Sequence, residues 1–227
     1  MAYQLEAKTY SGAKKPVPDA LPIQEIYQAP LNAHLDRGKT ALIYALYLTA
    51  ARASEINRIT ASDFQVKPNP ETGENEVTVR VPTLKNPRVI KREVIIPVYN
   101  PWEAKMWETL GALGRYRLEH DQDLMFPLDR FQIYRASRKI AYPAIAKRDN
   151  QTLEFEFKTN PHYWRHCRLT HLVEYYHFDD FDLMTFAGWS STDPARTYVN
   201  KDWLAMARKF HFGSFQPRAD SESKPVA

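Results

Sequence analysis

The run Asn160-Pro161-His162-Tyr163-Trp164-Arg165-His166 gathers groups suited to holding a phosphate. Asn160 is a good helix N-cap, and Pro161 suits the first helical position, where no N–H is needed. A helix starting there carries His162 and Arg165 three residues apart, on one face of its first turn. The unpaired N–H groups and positive dipole end of that turn favour an anion. Downstream, Ala187-Gly188-Trp189-Ser190-Ser191 leads to Tyr198, nine positions after Trp189. Attack on a phosphodiester builds negative charge on its non-bridging oxygens, which guanidinium groups match bidentately. Arg52 and Arg165 suit that role, helped by the Trp189 N–H and a proton from His162. A phenol with a pKa near ~10 is a poor nucleophile until a base takes its proton. Tyr198 is then the candidate nucleophile and His162 the candidate base, with Glu55 orienting Arg52 or His162. The departing oxygen needs a proton, and Lys85 is the candidate general acid. Positioning and electrostatics carry most phosphoryl transfer, so the set needs no metal and no cofactor.

Taken singly, each residue has a plainer structural reading. Tyr198 is one of thirteen tyrosines. Arg52 alone reads as a helix-end ion pair with Glu55 or Asp63, Trp189 as core packing, and Lys85 as a solvated turn residue. Lys91 is a rival for the role of Lys85, which is preferred because Asn86-Pro87 makes it the turn position. His166 and His177 read as structural. His162 and His166 are spaced i, i+4 near Cys167 and His171, but no Glu follows His162 as in zinc proteases and no second cysteine exists, so no metal is expected.

These residues need elements to hold them. Residues 1 to about 30, with Pro16, Pro18, Pro22 and Pro30, read as an arm or linker with a short helix near Ile23 to Tyr27. The pattern turns helical from Leu31, and Thr40 to Leu48 is apolar nearly all round, as a buried central helix should be. It ends near Thr49-Ala50-Ala51-Arg52-Ala53, and a second short helix runs through Glu55, Ile56 and Ile59. Asp63 to Val66, the alternating Val77, Val79 and Val81, and Val89 to Val98 predict a three-stranded antiparallel sheet whose second turn presents Lys85. Helices are expected over Pro101 to Arg117, Arg130 to Ala146, Pro161 to about Tyr176 and Phe181 to Ala187. Thr152 to Lys158 reads as a brief strand or extended lead-in, and Asp193 to Val199 as a short helix. Lys201 to Phe210 is a last amphipathic helix that could dock on its own subunit or a neighbour's. Residues 213–227 read as a disordered tail.

The fold class is therefore α+β and mainly helical, with one main domain over residues 31–212. The length of 227 residues allows one substantial core. No apolar run approaches the ~20 residues that span a bilayer, and no secretory signal is visible, so no membrane partner is expected. A single cysteine excludes an internal disulfide framework and fits a reducing cytoplasm. The formal charge of +4 is compatible with nucleic acid.

In order, these segments resemble the tyrosine recombinase (integrase) family. Thr49-Ala50-Ala51-Arg52-Ala53-Ser54-Glu55-Ile56 resembles its first arginine box, and His162-Tyr163-Trp164-Arg165-His166 its His-x-x-Arg-His box. Ala187-Gly188-Trp189-Ser190-Ser191 is similar to its Gly-His-Ser-Ser segment, and Tyr198 falls where the family nucleophile falls. Trp189 stands where histidine is commoner, which keeps an N–H donor and removes a titratable group. Cys167-Arg168-Leu169-Thr170-His171 matches only loosely. The helical DNA-binding domain that usually precedes this catalytic domain lies outside the match, as in a fragment or a minimal member.

The resemblance implies site-specific cutting and rejoining of double-stranded DNA through a 3′-phosphotyrosyl link, with four protomers on two duplexes. It implies DNA recombination or integration of a mobile element, in the cytoplasm with host DNA. Two other readings stay open: a type IB topoisomerase acting alone, and a non-catalytic DNA-binding accessory protein that kept the fold.

Overall fold

The computed structural model describes residues 18–83, 91–97, 100–148 and 151–199. Helix α2 (Arg37–Thr49) is its centre, with every side chain from Thr40 to Thr49 buried. Asp36 caps it by accepting from the Lys39 N–H at 2.8 Å. Its end is set by Ala50, which turns into the left-handed region at φ 48° and breaks the helical path just before Arg52. The short α3 (Ala53–Ile56) follows at once.

Around α2 pack α1 (Ile23–Asn32), α4 (Pro101–Glu119) and α6 (Pro161–Tyr176). The stretch expected as an arm with a short helix thus carries a ten-residue helix. Ile23, Ile26 and Pro30 of α1 are buried, and Tyr27 stacks on Tyr44 at 5.6 Å. The helical pattern expected from Leu31 is interrupted between α1 and α2, where His34 takes φ 50°.

Helix α6 begins and ends where its local signals place it. Asn160 accepts from the Tyr163 N–H at 3.0 Å, Pro161 occupies the first turn, and His177 ends the helix at φ 56°. One polar network binds it to its neighbours. Arg168 and Glu103 pair with both side chains fully buried. The Tyr47 hydroxyl lies 2.9 Å from His171 Nδ1, and the Tyr176 hydroxyl donates to Glu103. A buried pair of this kind is tolerated only because its members are hydrogen-bonded.

Strands β1 (Phe64–Pro68), β2 (Asn75–Pro82) and β3 (Lys91–Ile96) form the expected antiparallel sheet in the order β1-β2-β3. In β3 the exposure alternates strictly, so Arg92, Val94 and Ile96 face the core. The turn expected to present Lys85 lies outside the described residues.

The helix expected over Arg130 to Ala146 is a correction. Helix α5 (Arg130–Arg138) stops early, and β4 (Ala141–Arg148) pairs with β5 (Gln151–Lys158) as a two-stranded antiparallel hairpin. Pro143 explains it: proline lacks the N–H a helix needs and pushes Tyr142 into an extended conformation. The hairpin docks on α6 through rings, with Tyr163 at 4.8 Å from Phe157 and 5.9 Å from Tyr142. Helix α7 (Asp180–Ala187) and a 3-10 turn, Asp193–Thr197, close the described chain and lead into Tyr198.

Candidate active site

Three chain ends meet at one place: the left-handed end of α2, the first turns of α6 and the C-terminus of α7. Arg52 sits at the junction of α2 and α3, with its side chain 16% exposed. Its backbone N–H donates to Glu55 Oε2 at 2.9 Å and its Nη1 to Oε1 at 2.6 Å. Glu55 is fully buried, so its carboxylate is fixed and Arg52 is fixed by it. This contact is also the helix-end ion pair that Arg52 alone suggests.

Arg165 is buried on α6. Its Nη1 donates to the Ala50 carbonyl and its Nη2 to the Ala187 carbonyl at 3.0 Å. Both acceptors are the loose carbonyls that helix C-termini leave over. Arg165 therefore ties the end of α2 to the end of α7. Burial, then the like charges of Arg52 and Arg92, pull its guanidinium down to about 9, while Glu55 and Tyr198 act the other way. An anion arriving here would relieve that repulsion.

The Gly188-Trp189 turn follows directly. Gly188 ends α7 at φ 66°, and Trp189 presents its ring 5.4 Å from the Arg165 guanidinium carbon. Tyr198 stacks on Trp189, with centroids 6.2 Å apart and planes 21° apart. The His166 ring lies 5.5 Å from Tyr198. Tyr198 is half-buried. Burial raises its pKa above the usual phenol value, and the Arg165 charge works against that rise.

Arg52, Glu55, Arg165, Trp189 and Tyr198 thus fall in one neighbourhood, although they are spread over most of the chain. His162 lies on the first turn of α6 and is solvent-exposed, unlike Arg165 one turn on. The imidazole packed against Tyr198 is that of His166, which spacing alone marked as structural. Lys85 lies outside the described residues. Its rival Lys91 is engaged elsewhere, with Nζ 2.8 Å from Asp63 Oδ1. Among the described residues no group of His, Cys, Asp and Glu could hold a metal ion. None of the described helices is long and apolar enough to cross a membrane.

One member of the cluster carries no motif. Arg92 of β3 is 6% exposed, with Nη2 3.6 Å from Glu55 Oε2 and 3.3 Å from the Thr49 carbonyl. The strand's alternation, which puts Arg92 in register with Val94 and Ile96, was the signal that could have found it.

No model of a known protein family matches the chain, and no curated protein matches it. Solved structures do. A crystal structure of XerA recombinase matches 87% of this chain and 66% of its own, at 20% identity and TM-score 0.58. XerH site-specific recombinase bound to difH substrate, in a pre-cleavage complex, matches 91% of this chain and 58% of its own, at 16% identity and TM-score 0.59. The Tn1549 transposon integrase in complex with transposon right end DNA matches 88% of this chain and 66% of its own, at 15% identity and TM-score 0.53. The chain spans less than two thirds of the length of the XerA structure, and of XerH less still. The chain has the fold of a tyrosine recombinase catalytic domain.

Proposed function

We propose that this chain cuts and rejoins double-stranded DNA as a site-specific recombinase or integrase, through a 3′-phosphotyrosyl intermediate. One observation carries the reading: Tyr198 stacks on Trp189, which lies against an Arg165 already crowded by the positive charge of Arg52. That is a nucleophile beside a surplus of fixed cation, which suits attack on a phosphodiester.

The step balances as follows. An imidazole of α6, that of His162 in the motif or of His166, whose ring packs on Tyr198, takes the phenolic proton of Tyr198, and the phenolate oxygen attacks phosphorus. A Tyr–O–P bond forms, and the bond to the 5′ oxygen breaks. Lys85 gives that leaving oxygen its proton. Arg52 and Arg165 hold the non-bridging oxygens as charge grows on them, with the Trp189 N–H as a further donor. No metal or nucleotide enters, and the phosphotyrosyl link keeps the energy for the reverse step. Glu55 holds Arg52 in place for this. Strand exchange on two duplexes would use four protomers, with DNA itself as the scaffold.

The test is a duplex nicked near the cleavage site, which traps the covalent adduct. Mass spectrometry of the adduct should place the oligonucleotide on Tyr198, and Tyr198→Phe should form none. An adduct on another residue, or none at all from the wild-type chain, would overturn the proposal. Products joined only at a defined repeat would mark a recombinase. Relaxation of plasmid at random nicks by a lone protomer would mark a topoisomerase instead.

A further inference from the structure

Glu55 serves two arginines, and the second lies in the core face of a strand. Arg92, on the same face of β3 as Val94 and Ile96, brings Nη2 to the Thr49 carbonyl and toward Glu55. Its Nη1 is buried and has no hydrogen-bond partner among the described residues. Its stem also lies under the turn that carries Trp189. A β-carbon built on Gly188 would fall 2.8 Å from Arg92 Cδ and 3.0 Å from Nε, so the turn rests on this side chain with no space between. The positive φ of Gly188 and this contact both demand glycine there.

As a purely structural choice Arg92 is poor. A buried guanidinium with an unsatisfied N–H costs free energy that a methionine in the same register would avoid. Burial pulls its pKa down to about 10, and the charge of Arg52 adds to that, while Glu55 opposes it. Arg92 also adds to the positive field at Arg165.

We infer that Arg92 is a positioning residue of the proposed cleavage site, holding the Gly188-Trp189 turn and the Arg52–Glu55 pair on one rigid side chain. Its stem sets the height of the Trp189 ring, and through the stack the approach of Tyr198. Its head keeps Glu55 from swinging away from Arg52. The chemical consequence rests on the phosphotyrosyl reading above, whereas the placement of Trp189 does not.

The test separates the two. In protein labelled with fluorotryptophan, the resonance of Trp189 is assigned among five tryptophans by its loss in Trp189→Phe. Arg92→Ala should shift that resonance while leaving the other four, and Arg92→Lys, which keeps stem and charge, should bring it back toward the wild-type position. On the nicked duplex, Arg92→Ala should slow adduct formation roughly 100-fold at nearly unchanged DNA affinity, the scale of loss for small misplacements of reacting groups. If Arg92→Ala does not fold, Arg92→Val, which suits a strand and keeps neither the stem nor the charged head, carries the same readouts. An unmoved Trp189 resonance overturns the inference whatever the adduct assay gives. Adduct formation at the wild-type rate in a variant whose resonance has moved overturns its catalytic half. If the wild-type chain forms no adduct, the enzyme reading fails, and the resonance still decides the placement.

Discussion

The Arg165 guanidinium spends two of its N–H groups on protein carbonyls, those of Ala50 and Ala187, while its flat face meets the ring of Trp189 at 5.4 Å. It is a structural tie and a candidate phosphate ligand at once. A planar fork is what makes both possible, and lysine has none.

Arg165→Ala should therefore lose several orders of magnitude in cleavage, because its charge matters most as charge builds on the phosphate. DNA retention on a filter should fall little, since many other backbone contacts remain. Arg165→Lys, with charge but no fork, should stay close to Arg165→Ala in cleavage rate. Equal losses of cleavage and retention would contradict a role specific to the transition state.

Glu55 is a buried carboxylate that Arg52 and Arg92 share. Glu55→Gln keeps its shape and removes its charge, leaving two guanidiniums to repel each other in a dry site. Urea unfolding should show a loss of about 3–5 kcal/mol, the usual cost of breaking a buried pair from one side. A loss too small to measure would mean that water reaches both arginines.

His171 sets a pH dependence. Burial, with the nearby charge of Arg168, holds its pKa down to about 4, from an ordinary 6.5. Its partners leave it neutral: the Tyr47 hydroxyl sits 2.9 Å from Nδ1 and the Tyr175 ring at 5.3 Å. The unfolded chain binds this proton more readily than the folded one. Stability from this group is then complete above about pH 6.5 and is lost as pH falls to about 4, a total of roughly 3 kcal/mol. His166, also lowered by burial, adds in the same direction. Unfolding free energies measured at pH 7 and pH 4.5 should differ less in His171→Gln than in the wild type. The same difference in both proteins would remove His171 from the account.

DNA binding should be governed by phosphates. The logarithm of affinity should fall linearly and steeply with the logarithm of salt concentration as counterions are released. A flat response in a filter or anisotropy titration would show that backbone contacts do not dominate.

Local signals made α6 legible: an asparagine cap and a proline at the first position fix where a helix starts, whatever packs on it later. The alternation of β2 and β3 was legible for the same reason. Arg138 to Ala146 was not, because Arg, Lys and Ala are tolerated in helices, and Pro143 is the residue that breaks the helical pattern. His162 and Arg165 show a second limit. Spacing says which face of a helix a residue occupies, but depth depends on the neighbouring elements. So His162 is exposed while Arg165 is buried, and the ring beside Tyr198 belongs to His166. Arg92 shows a third: an arginine in a strand reads as solvent-facing until the register is taken seriously.

The Tyr163 hydroxyl donates to the carbonyl of Asp19, a partner 144 positions earlier, at 2.8 Å. A contact between groups so far apart in sequence closes a long loop, and the entropy of closing it opposes the contact. During synthesis Asp19 must wait until Tyr163 has emerged before it can dock on the helix that carries Arg165. The helix that bears the candidate phosphate ligand is thus completed by a segment made long before it.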